Sequence, residues 1–151
     1  MKFERRDYQD DAALNELAHK VQAVLPELFE SEGARYVAFY SSVEPDHIGG
    51  KCRKLDGAVR HRTGDDFWLL IHREPFLQAD LFHKLRILIH EIHHMVKDGN
   101  AWVVRRHAGD FCEISLHDKY CYRLSLKAIA ALGLKYDNTE EIKKYTGLDS
   151  V

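Results

Sequence analysis

The stretch Leu85–Val96, LRILIHEIHHMV, constrains this chain more than any other. It contains His90-Glu91-Ile92-His93-His94, a match to H-E-x-x-H. On a helix, residues four apart share a face, so His90 and His94 can both reach one metal ion. The glutamate between them is placed to act as general base toward a water at that metal. With His90 set at zero and about 100° per residue, His94 falls near 40° and Glu91 near 100°. Leu81, Leu85, Leu88, Ile89, Ile92, Met95 and Val96 fall between about 140° and about 260° on the same wheel. The helix is therefore expected to bury its apolar arc in the core and present His90, Glu91 and His94 on the opposite side.

A solvated helix rich in His and Glu would produce the same five letters. In a chain of this composition roughly 0.05 chance matches are expected, so the pattern needs support from its surroundings. That support is its position on a strongly apolar, well-bounded helix. A hydrolytic zinc site also needs a third protein ligand and an open position. His107 is the leading candidate, thirteen residues after His94, beyond a turn and at the expected start of the next helix. Glu113 is the alternative. Asp110 reads as a partner for the spare N–H of a ligating histidine, or as a helix cap. His93 borders the site, as a residue supporting the ligands or as a packing residue, and His83 lies two turns before His90, too far to ligate. His19, His47, His61, His72 and His117 read as solvated or hydrogen-bonded side chains, and Cys112 as a buried thiol.

Along the chain, Asp10 and Asp11 open a first helix whose apolar residues run from Leu14 to Leu28, with a kink or restart at Pro26 and an end near Gly33. Arg35–Val43 reads as a strand and Pro45, Gly49 and Gly50 as a loop. Lys51–Arg62 reads as a second strand or bent hairpin around Gly57. Phe67–His72 is a third, buried strand stopped by Pro75. The central helix is expected from about Gln78–Asp80 to Val96, capped at Gly99 or Asn100. Ala101–Arg106 is then a connector, a third helix begins between His107 and Asp110, and a fourth runs from about Tyr120 to Leu132. Asn138 and Glu141 suggest a capping box for a short last helix through Tyr145. The order is that of an α+β protein.

The 151 residues suit one domain, spanning 1–151 with a helical extension from about residue 120. A net charge of −2, with ten histidines counted neutral, argues against bulk nucleic acid or an anionic membrane as partner. Cys52, Cys112 and Cys121, an odd number without a CxxC pair, suit a reducing compartment, and no apolar run approaches the ~18 residues of a membrane span. A cytoplasmic protein is expected.

The run DFWLLIHREPFLQADLFHKLRILIHEIHHM, followed by RRHAGDFCEI, resembles a metallopeptidase domain found in phages and prokaryotes, itself similar to the SprT-like zincins. The upstream segment GKCRKLDGAVRHRTGDDF resembles the basic, Gly-bounded strand pair of that family. The likeness covers most of residues 10–125. It implies a minimal zincin-like fold: an N-terminal helix, a small three-stranded, mostly antiparallel sheet, the H-E-x-x-H helix and C-terminal helices. It also implies one zinc ion per chain on His90, His94 and His107, Glu91 as catalytic base, and a peptide or protein substrate, with a partner protein for substrate delivery as an option.

Two other classes compete. Three-histidine metal endoribonucleases lack the glutamate after the first histidine and place the third histidine sooner. The basic residues Lys51, Arg53, Lys54, Arg60 and Arg62 are the feature nearest to favouring them, and read more simply as a solvated strand face. A catalytically silent zinc-binding regulatory or interaction module would have no use for Glu91 and would fill the fourth metal position with Cys or His.

Overall fold

The structure, a computed structural model, describes residues 8–42, 49–105 and 114–134. His47, His107, Asp110, Cys112, Glu113 and the expected last helix lie outside them. The described residues form an α+β fold with six helices, a four-stranded mixed sheet and a separate two-stranded hairpin.

Strand β1 (Tyr8–Gln9) leads into helix α1 (Ala12–Val24). Asp11 caps α1 by accepting from Leu14 N–H at 2.9 Å, which satisfies one of the amide groups orphaned at a helix start. Pro26 restarts the chain as a 3-10 helix over Pro26–Ser31. Strand β2 (Tyr36–Ser41) follows, then β3 (Gly50–Lys54), helix α2 (Gly57–Thr63), β4 (Phe67–His72), the short helix α3 (Arg73–Gln78) and the central helix α4 (Leu81–His93). Hairpin strands β5 (Met95–Asp98) and β6 (Ala101–Val104) come next, and helix α5 spans Ile114–Ala131.

The sheet order is β1-β2-β4-β3. β2 and β4 run parallel from Tyr36↔Phe67 to Ser41↔His72, while β1 and β3 are antiparallel edge strands. The expected sheet is three-stranded and mostly antiparallel; among the described residues it has four strands, with two antiparallel outer pairings around a parallel central pair. A parallel pair needs a crossover longer than a hairpin turn, and the intervening β3 and α2 supply it. One face of the sheet, with Tyr36, Ala38 and Tyr40 of β2, Phe67, Leu69 and Ile71 of β4 and Cys52 of β3, enters the core. Alternation along β4 is strict, with Trp68, Leu70 and His72 half-buried on the other face. The expectation that β4 is a buried strand is met fully on one face and half on the other.

Several boundaries differ from those expected. The second half of Lys51–Arg62 is helical, because Asp56 caps Val59 N–H at 3.0 Å and Gly64, at φ 79°, ends the helix. The central helix stops at His93, and Met95 and Val96 belong to β5. Gly99 is then the turn of a hairpin and not a helix cap. Its φ is 66° and no non-glycine residue among the described residues has positive φ, the sign pattern of a two-residue type II′ turn. The expected connector Ala101–Arg106 is strand β6 over its first four residues. Within the described residues α5 is one continuous helix from Ile114, ending at Gly133 (φ 67°).

Asp66 organises one end of the sheet. It is 2% exposed and accepts from Arg35 N–H at 3.0 Å, while Arg60 Nη2 lies 2.8 Å from its Oδ1. Burial alone would raise its pKa, but these bonds from Arg35 and Arg60 outweigh it and hold the carboxyl below its ordinary value. Among the described residues no helix is long and apolar enough to cross a membrane.

Candidate metal centre

Helix α4 begins at a capped end, with Asp80 accepting from His83 N–H at 2.9 Å. Its start is also where the imidazole of His83 sits, Nδ1 at 2.8 Å from the same Asp80 oxygen. The helix is then buried on nearly all sides. Phe82, Leu85, Ile87, Leu88, Ile89 and Ile92 are in the core, packed among α1, β3, the 3-10 helix and α5. Contrary to the expected exposed face, His90 and Glu91 are each 2% exposed and His94 is 6% exposed. A central helix with its polar face also enclosed has to pair those polar groups or give them a ligand.

The two histidines converge. Nε2 of His90 lies 3.2 Å from Nε2 of His94, and the ring centroids are 4.9 Å apart at 77°. Two imidazole nitrogens at zinc–nitrogen distance on one tetrahedral ion stand about 3.3 Å apart, so the pair already has the spacing of two ligands. The hairpin fixes the second ring. His94 donates its Nδ1–H to the carbonyl of Arg105, and Arg105 N–H donates to the carbonyl of His94 at 2.7 Å. A carbonyl only accepts, so the proton of a neutral His94 sits on Nδ1 and the lone pair on Nε2 faces His90. This is how metal-ligating histidines are commonly oriented.

Glu91 lies under the first residue of β3. A Cβ on Gly50 would come within 3.0 Å of Glu91 Cγ and 3.1 Å of its Oε2, so glycine lets the carboxylate lie this close to the strand without shifting. Oε1 of Glu91 is buried and has no hydrogen-bond partner among the described residues. Burial pushes the Glu91 pKa up to about 8, against the pull of the Arg86 charge. Burial, with the Glu91 charge beside it, likewise pushes the Cys52 thiol well above its ordinary value.

His93, read as a supporting or packing residue, has its ring 5.6 Å from that of Tyr120. Burial, reinforced by Arg105 and His94 against Glu30, lowers its pKa to about 4, so it is neutral at neutral pH. Tyr122 stacks on Phe82 with centroids 5.1 Å apart and carries the Arg86 guanidinium 5.4 Å above its ring. His19 stacks on Tyr36 and its Nε2 meets the Tyr36 carbonyl at 3.1 Å, so it is a hydrogen-bonded core-edge histidine as expected. Cys52 and Cys121 are buried free thiols.

The structure thus brings together His90, Glu91 and His94. Among the described residues there is no group of three or more His, Cys, Asp or Glu side chains placed to hold a metal. Residue letters do not show the closeness of Gly50 or the backbone role of Arg105. Gly50 was read as loop punctuation, and no periodicity marks a close approach between a strand and a helix side chain. Arg105 acts here through its backbone, which a residue letter does not report. Compared with known proteins, the chain matches no family model, no curated protein and no solved structure.

Proposed function

We propose that this chain is a zinc-dependent hydrolase of minimal zincin-like build, with Glu91 as general base and peptides as substrate. His90 and His94 are two of the metal ligands. His107 is the third, two residues along the chain from Arg105, whose carbonyl meets His94. The observation that carries this reading is the 3.2 Å convergence of the two Nε2 atoms on a helix that also buries Glu91 beside them. Glu91 Oε1, buried beside the converging imidazoles and without a hydrogen-bond partner among the described residues, favours a ligand as the purpose of the group.

Zinc, when bound, supplies a Lewis acid and lowers the pKa of water toward about 7. The residues supply the rest. His94 is held in the Nδ1–H tautomer by Arg105, so Nε2 needs no deprotonation before it ligates. Glu91, protonated near neutrality in the metal-free site, becomes a carboxylate once a positive charge stands beside it. It can then accept a proton from water and pass it to the leaving amine. β3 is an edge strand whose first residue touches Glu91. Among the described residues β3 pairs in the sheet only with β4, and an extended peptide paired along its other side would run past the carboxylate, with main-chain hydrogen bonds giving affinity. This arrangement supports a peptide over a compact small-molecule substrate.

The test pairs two variants. His90→Ala is expected to lose bound zinc. Glu91→Gln is expected to keep zinc while losing cleavage of a fluorescently labelled unfolded protein such as casein. Cleavage that survives Glu91→Gln contradicts the assignment. Zinc binding without cleavage in the unmodified chain favours the silent-module reading, and cleavage of RNA alone favours the endoribonuclease.

A further inference from the structure

Two residues outside the H-E-x-x-H stretch bear on His94. Its backbone and ring are both tied to Arg105: Arg105 N–H donates to the His94 carbonyl at 2.7 Å, and the His94 Nδ1–H donates to the Arg105 carbonyl. These bonds continue the hairpin ladder one step past Met95↔Val104. The orientation of the ring therefore depends on where the end of β6 is held. The Arg105 side chain, 16% exposed, is anchored by its Nη2 at 2.5 Å from Oε1 of Glu30. Glu30 stands on the 3-10 helix, which is itself locked to α1. There Gln22 donates to Ser31 Oγ at 2.8 Å, and Ser31 Oγ donates to the Leu28 carbonyl at 2.8 Å.

We infer that the Glu30–Arg105 ion pair is a positioning device for His94, transmitting the rigidity of α1 and the 3-10 helix to the imidazole through the Arg105 carbonyl. The inference rests on the metal reading above for its purpose. A neutral imidazole has two tautomers, and only the one with the proton on Nδ1 offers Nε2 as a ligand. If the carbonyl drifts, the tautomer and the ring angle both lose their constraint. Partners of this kind are typically worth about 10–100-fold in metal affinity.

The same 3-10 helix provides a matched control. Glu27, three residues before Glu30, pairs with Lys127 of α5 at 2.7 Å. That ion pair ties the helix to α5 and has no bond to Arg105 or His94. Glu27→Gln and Glu30→Gln each remove one charged partner from the same short helix, and only the second acts on the hairpin end.

The experiment uses the full chain, cobalt(II) as the metal probe, and imidazole 15N–1H spectra of the metal-free protein. Glu30→Gln is expected to weaken cobalt(II) binding about 10-fold. It is also expected to shift the His94 ring from a single Nδ1–H tautomer toward a mixture. Glu27→Gln should match the unmodified chain in both readouts, and Arg105→Lys, which keeps the charge pair, should fall between. Equal cobalt affinity and an unchanged tautomer in Glu30→Gln would overturn the inference, as would equal losses in Glu27→Gln. Failure of the unmodified chain to bind cobalt would sink the metal reading instead, and the tautomer spectra would still decide whether Glu30 positions His94.

Discussion

Glu91 carries most of the proposed chemistry at the scale of single residues, and its burial makes a pH signature. Its pKa rises from the usual carboxylate value to about 8 in the metal-free fold. Between those values the folded chain keeps a proton that the unfolded chain has released. This contribution to stability is complete below the unfolded pKa and is lost as pH rises through about 8. His93, lowered to about 4, works in the opposite direction, but only up to the unfolded histidine pKa of about 6.5. The interval from about pH 6.5 to 8 therefore isolates Glu91. Urea unfolding of the metal-free chain should show a loss of about 2 kcal/mol across that interval, absent in Glu91→Gln. A flat profile in both proteins would mean that Glu91 is ionised or solvated in the fold. Gly50 offers a second residue-scale prediction. Its replacement by alanine forces Glu91 to shift by a few tenths of an ångström, because the new Cβ meets Cγ, Cδ and Oε2 at 3.0–3.2 Å. Gly50→Ala should fold, bind zinc, and lose about 10-fold or more in turnover. Full turnover would show that Glu91 tolerates displacement.

Elements show why part of the fold was readable from the residues and part was not. Strand β4 matched its expected span, Phe67–His72, because six apolar-rich residues stand between a Gly-Asp-Asp turn and a proline-bearing segment. Helix α1 was legible from Asp11 and the spacing of Leu14, Ala18 and Val21. The end of α4 was not. Met95 and Val96 continue the apolar periodicity of the helix, so the wheel cannot distinguish them from a strand that buries Met95 by another route. Gly99 with positive φ serves a helix end or a hairpin equally well, and only the pairing of Lys97 with Trp102 decides it. The helix α2 within a basic segment was hidden because its apolar content is slight and none of its residues is buried. The order of the sheet was beyond reach, since a parallel β2–β4 pair depends on which strands meet and not on their composition. Asp66 yields the prediction proper to this scale. It joins the start of β2 to α2 through Arg35 and Arg60, and its lowered pKa makes its contribution present at neutral pH and lost as pH falls through its folded value. Asp66→Asn should cost about 2 kcal/mol at pH 7, less than a fully enclosed ion pair because Arg35 and Arg60 remain largely in water. Chemical denaturation at pH 7 and pH 3 checks this: the deficit should shrink at the lower pH.

For the whole molecule, the placement of the proposed site would couple metal binding to folding. α4 is the central helix, and the enclosed His90, Glu91 and His94 are part of the packed interior. A cation that neutralises this polar group binds the folded chain and not the unfolded one. Saturation at a hundred times the dissociation constant should then add about 2.7 kcal/mol, visible as a rise in Tm with zinc. His90→Ala should abolish the zinc-dependent rise, while Glu91→Gln should retain it. The H-E-x-x-H face of α4 was evident from residue spacing alone. Its burial was not, because the wheel shows which residues share a face and not what covers that face.

Zinc stoichiometry tests the central claim most directly, measured on the full chain beside His90→Ala and His94→Ala after equilibration with zinc and removal of loosely held ion. About one zinc per chain in the unmodified protein, with a fall of at least tenfold in both variants, is the predicted result. No retained zinc in the unmodified chain, or equal zinc in all three proteins, would contradict the assignment of His90 and His94 as metal ligands.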